Sequence, residues 1–168
     1  MIGGSLPGWP RIAWDRCLLA GAVGIALAGA LVWPALARTA EEAKALVDRA
    51  VAHVQAVGQE RAFTDFTRRD GGFVDGELYV YCVASDGTVV AHGGNPKLVG
   101  KNLWALRDAE GKLPTIAQIR LGQTQGKGWV EYLWPNPVTG RVQHKVTYIV
   151  RIDDRTICAS GYYKPDPP

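Results

Sequence analysis

The chain has 168 residues, 47% of them hydrophobic, and a formal net charge of +3. That length fits one globular domain. So small a charge, with Lys and Arg scattered among acids, excludes the basic stripe of a nucleic-acid binder.

Residues 1–37 differ from the rest. Arg11 and Arg16 precede an uncharged apolar run, "CLLAGAVGIALAGALV", followed by "WPALA" and Arg38. Positive region, apolar region, helix-breaking Pro34 and the triplet Ala35-Leu36-Ala37 follow the order of a secretory signal, with cleavage expected after Ala37. The alternative is an uncleaved anchor. The run from Cys17 to Ala37 is just long enough to span a bilayer at about 20 residues, and the arginines would hold its N-terminal side in the cytoplasm. Pro34 and the small-x-small triplet favour a signal. Under either reading residues 38–168 form one domain outside the cytoplasm, either periplasmic or secreted, or anchored to the inner membrane by residues 17–37.

"TAEEAKALVDRAVAHVQAV" opens with Thr39 and has Glu42 three residues on, a capping-box pattern. Ala43, Leu46, Val47, Ala50, Val51, Val54 and Val57 recur at helical spacing, which predicts a long amphipathic helix over 39–57. Gly58 breaks it, and a shorter helix carries Phe63 and Phe66. From Glu77 the period becomes two. "ELYVYCVAS" and "TVVAH" flank Asp86-Gly87, a hairpin signal. A long Gly- and Asn-rich loop follows, then a short helix after Pro114. The strands "GWVEYLW", "RVQHKVTYIVRI" and "RTICASGYY" complete the domain, joined by turn residues. The expected fold class is α+β, a long N-terminal helix packed on a five-stranded antiparallel sheet.

The residues offer no catalytic constellation. After residue 38 there are two serines, Ser85 and Ser160, and neither sits in a Gly-x-Ser-x-Gly elbow. His53, His92 and His144 lack metal spacing, and no Gly-rich phosphate loop opens a helix. No enzyme activity, metal or cofactor is expected. Cys82 and Cys158 leave two readings open, a disulfide in an oxidising compartment or two buried thiols.

Binding chemistry is better represented. Lys145 stands among apolar and β-branched neighbours in "HKVTYIVRI". A strand lysine more often points to water; the functional reading is that its ammonium ends in a concave pocket and holds an anion. Trp129, Tyr132, Tyr79 and Tyr81 would then supply walls and hydroxyl donors. His92 ends its strand at the long loop, where site residues commonly lie. If Leu78, Val80 and Cys82 face the long helix, Tyr79 and Tyr81 face the other side, under the loop. Trp129 and Tyr132 are three apart and fall on opposite faces of a regular strand, so one packs while the other lines a pocket.

The motifs, in order, resemble a known family. These are the hairpin with Asp86-Gly87 and Ala91-His92, the Asn95-Pro96 to Gly100-Lys101-Asn102 loop, the Gly128-Trp129-Val130-x-Tyr132 strand and the Lys145-Val-Thr-Tyr148 strand. Together they are similar to the single Cache domain, type 2, a PAS-like extracytoplasmic sensor, over about residues 40–163. The resemblance implies a pocket between the sheet and the loop–helix segment, and small carboxylates such as acetate or pyruvate as ligands. It implies Tyr81, His92, Trp129, Tyr132, Lys145 and Tyr148 as ligand-binding candidates. It also makes Cys82 and Cys158 neighbours in the sheet. Members commonly serve chemoreceptors or histidine kinases, and with Pro168 soon after Tyr163 this chain resembles a standalone, secreted form. The expected function is small-carboxylate sensing without catalysis, with a membrane receptor or kinase as the further partner. The alternative is an interaction domain that docks on a transmembrane signalling partner.

Overall fold

The structure, a computed structural model, describes residues 38–165. The expected signal or anchor at 1–37 lies outside them. Helix α1 covers Ala40–Val57, and its start is held by a complete capping box. The Thr39 hydroxyl accepts from the Glu42 N–H, and the Glu42 carboxylate accepts from the Thr39 N–H. Its buried stripe, Ala43, Leu46, Val47 and Ala50, packs across the last two strands of the sheet. Gly58, at φ 80°, ends α1 in a conformation costly for a side chain and starts α2, Gln59–Thr67. Phe66 of α2 meets Phe73 edge-on, with ring centroids 4.6 Å apart.

The alternating segment after Glu77 forms two pieces rather than one strand. β1 (Val74–Asp75) and β2 (Leu78–Tyr79) pair as a small separate ribbon, and β3 (Tyr81–Ala84) enters the main sheet. β3 pairs with β4 (Val89–His92), with a register shift after Cys82 that sets Val83 opposite Val89. This bulge keeps Tyr81, Val83, Val89 and His92 on one face despite the extra residue. The loop 93–113 contains one 3-10 turn, Pro96–Leu98, and folds back on the hairpin. There the Asn102 side chain donates to the Asp86 carbonyl, and Trp104 packs so closely on Gly87 that a Cβ there would lie 2.9 Å from it.

Helix α3 (Pro114–Gln125) leads into β5 (Lys127–Pro135), β6 (Val142–Arg151) and β7 (Thr156–Tyr163). The five-stranded antiparallel sheet has the order β4-β3-β7-β6-β5, so the last strand inserts beside the first hairpin. Two cores result, one on each side. Leu78, Val80, Cys82, Ala91 and Cys158 pack under α1 and α2, while Tyr81, Val83, Ile149, Ile157 and Ala159 pack under α3 and the loop. Cys82 and Cys158 are directly paired across β3 and β7, with Cα atoms 4.1 Å apart, and are joined by a disulfide on the α1 side.

Candidate ligand-binding site

Strand parity and register assemble the loop-side face. Lys145 on β6 lies opposite Tyr132 on β5 and Tyr163 on β7, and Tyr81 on β3 lies opposite His92 on β4. Thr147, one pleat from Lys145, lies opposite Gly161. A Cβ at Gly161 would come within 2.5 Å of the Thr147 hydroxyl, so only glycine leaves room for that side chain here. Tyr79, Tyr81, Tyr132 and Tyr163 thus bring four phenols into one region of the sheet.

Their hydroxyls form two short chains. Tyr81 donates to the Gln118 side-chain oxygen at 2.7 Å and shares a 3.1 Å contact with the Tyr132 hydroxyl, which accepts from Thr147 at 3.3 Å. Tyr163 donates to the Pro135 carbonyl at 2.9 Å, so the 3.3 Å bond between Tyr79 and Tyr163 has Tyr79 as donor. Burial raises the pKa of all four phenols, which therefore remain protonated and able to donate.

Lys145 is fully buried, and its Nζ has no hydrogen-bond partner among the described residues. The amine lies 3.7 Å from the centre of the Tyr79 ring, 5.0 Å from that of Tyr163 and 5.6 Å from that of Tyr81. Ring faces attract a cation but accept no strong hydrogen bond. Burial drives its pKa well below the ordinary lysine value, with Glu77 opposing the shift. His92 lies against both the Tyr79 and Tyr81 rings, at 5.1 and 5.5 Å, and its Nδ1 accepts from the Asn95 N–H. Burial first, and the Lys145 charge second, lower its pKa to about 3. His92 is a neutral imidazole.

Two neighbouring spaces adjoin these groups. An inner cavity of about 20 Å³, room for roughly one water, touches Tyr81, His92, Thr115, Gln118, Tyr132 and Trp134. An outer groove of about 520 Å³ runs under the loop and shares Tyr79, His92, Leu103 and Trp134 with the inner space. Lys145 lines neither space, since the Tyr79 ring, part of both walls, lies over it.

Trp129 and Tyr148 lie away from both spaces. Trp129 and Tyr148 are paired on β5 and β6 with rings 4.9 Å apart, on the opposite sheet face. There Lys44 of α1 lies 5.8 Å from the Tyr148 ring, and Trp129 remains 42% exposed. Tyr148 is three residues from Lys145, so strand alternation turns the two apart. Of the six expected residues, Tyr81, His92 and Tyr132 touch the inner cavity, Lys145 lies behind it, and Trp129 and Tyr148 are elsewhere.

The sequence reading passed over Gln118 and Thr115. A glutamine on a short helix reads as solvent-facing, yet Thr115, Gln118, Ile119 and Gly122 are all buried. Their i, i+3, i+4, i+7 spacing is the signal that identifies the face α3 turns to the sheet. Trp134, at the end of the strand "GWVEYLW", also lines both spaces.

No curated protein matches the sequence significantly. Solved structures do match. The crystal structure of a methyl-accepting chemotaxis protein from Vibrio parahaemolyticus RIMD 2210633 is 20% identical, with a TM-score of 0.66 over 73% of this chain and 86% of the other. A periplasmic sensor domain of a chemotaxis protein is 26% identical, with a TM-score of 0.60 over 74% of this chain and 90% of the other. A Cache chemosensory domain described for carboxylic acid recognition is 22% identical, with a TM-score of 0.63 over 74% of this chain and 92% of the other. The sequence itself matches the single Cache domain 2 family over residues 35–155. The chain belongs to the single Cache domain 2 family of extracytoplasmic sensor domains, which bind small ligands.

Proposed function

We propose that this domain binds a small carboxylate outside the cytoplasm, without catalysis, and passes the occupancy of its site to a membrane receptor or kinase. Residues 1–37 carry or tether the domain there. One observation supports the reading above the others: a fully buried lysine amine with no acceptor among the described residues, beside four phenols on the loop side of the sheet. A buried amine of that kind is costly unless it is neutral or paired with an anion. A carboxylate meets the need. Its oxygens accept from Nζ and from the Tyr81 and Tyr132 hydroxyls, whose protons turn to it from Gln118 and Tyr81, and the amine is then held as the paired ammonium. Because the Tyr79 ring covers Nζ, it moves aside as the ligand enters. His92, held neutral, adds no competing charge.

The test is calorimetric titration of the full chain with acetate, pyruvate and lactate, beside Lys145→Met. Charge-assisted hydrogen bonds contribute about 1.5–3 kcal/mol, so the variant binds roughly ten- to a hundredfold more weakly. Equal affinity in the two proteins sinks the assignment of Lys145. Failure of every acid to bind the wild type sinks the carboxylate reading and leaves docking on a signalling partner.

A further inference from the structure

We infer that the ligand is a monocarboxylic acid with an apolar tail of several carbons, its head at the tyrosine cluster and its tail along the outer groove. This rests on the carboxylate reading above and specifies its ligand class. The inner cavity, about 20 Å³, has no room for an acid's body as it stands. The outer groove, about 520 Å³, lies within the range of ordinary ligand pockets, roughly 300–1,000 Å³. Tyr79, His92, Leu103 and Trp134 line both spaces, so an acid whose head displaces the Tyr79 ring to reach the cluster has the groove directly beside it for its substituent.

The groove wall is chiefly apolar, with Leu98, Leu103, Leu106, Trp134, Pro135 and Val142 along it. Leu106 and Val142 are 38% and 56% exposed, apolar surface that a hydrocarbon tail would cover. The polar groups at this wall do not favour a second carboxylate. Asp108 accepts from the backbone N–H groups of Leu133, Glu110 and Lys112, so its carboxylate is held in place and would repel a second anion. Arg107, beside it, donates one N–H to the Gly111 carbonyl at 2.8 Å and keeps its charge, which the neighbouring Asp108 offsets. A dicarboxylate would therefore find no net positive charge at this wall for its second group.

The experiment is calorimetric titration of the full chain with acetate, butyrate, hexanoate, phenylacetate and succinate at one pH. Burial of a methylene predicts roughly threefold tighter binding per carbon, near a hundredfold between acetate and hexanoate. Leu106→Asn, which makes the wall polar at an exposed position, should shrink the hexanoate-to-acetate ratio severalfold. If acetate or pyruvate binds as tightly as hexanoate and loses affinity in Lys145→Met, the tail inference is overturned while the carboxylate reading stands. Succinate binding tighter than hexanoate, or a ratio unmoved by Leu106→Asn, overturns it as well. Binding of no acid at all removes both.

Discussion

The Lys145 amine faces the Tyr79 ring at 3.7 Å, with no oxygen among the described residues to receive its hydrogens. The arrangement costs stability in the free protein and is available for pairing with an anion. Replacing the amine with an apolar group of similar length removes that cost. Lys145→Met should therefore fold and be about 1–3 kcal/mol more stable at pH 7 in the absence of ligand. Burial lowers the pKa of the folded wild-type lysine well below its ordinary value of about 10.4 in the unfolded chain. The unfolded chain thus binds the extra proton, so wild-type stability climbs with pH toward that value and the variant's curve is flatter. Denaturant melts from pH 6 to 10 compare the two. A variant less stable than wild type would show that the amine is well satisfied.

The assignment of sheet faces is tested by a pair of aromatic substitutions. Trp129→Ala removes a side chain on the α1 side, packed on Tyr148 and remote from both cavities. It should leave carboxylate affinity within about twofold. Tyr132→Phe removes the hydroxyl that accepts from Thr147 and contacts Tyr81, and should weaken binding roughly tenfold. Titration of both variants decides the matter, and the reverse ranking would place the site on the other face.

The disulfide links residues 76 apart in sequence, so it restricts the unfolded chain strongly. A loop of that size corresponds to about 4 kcal/mol in the chain-entropy model. The double variant Cys82→Ala with Cys158→Ala should melt roughly ten degrees or more below the oxidised wild type. Scanning calorimetry reads this directly. Equal melting temperatures would mean the bond contributes nothing to stability.

His92 gives the domain an acid sensitivity independent of its surface carboxylates. The folded imidazole stays neutral down to about pH 3, whereas the unfolded one protonates near 6.5. Its contribution is present above pH 6.5 and lost as pH falls toward 3, at up to about 1.4 kcal/mol per pH unit. His92→Gln, which can still accept from the Asn95 N–H, should show a shallower loss of stability over that window in urea melts. Parallel slopes would mean that His92 is already charged in the fold.

Residues close in sequence determined much of this protein by themselves. The Thr39–Glu42 capping box and the spacing of Ala43, Leu46, Val47 and Ala50 identify α1, because a helix is built from contacts within one or two turns. Alternation likewise sorted Leu78, Val80 and Cys82 from Tyr79 and Tyr81, since a strand turns successive side chains to opposite faces. Within β6, alternation also separates Lys145 from Tyr148, a distinction present in the sequence but outweighed in the reading by motif resemblance. Tertiary structure decided the rest. The face on which Trp129 falls depends on how β5 registers with β6, and the Cys82–Cys158 contact depends on β7 inserting beside β3. Gln118 reaches Tyr81 only because α3 crosses the sheet at that point, and Tyr79 covers Lys145 only because β2 leaves the main sheet beside it. Those relationships join residues far apart in the chain, and their distances are set by packing between layers, which no local period encodes.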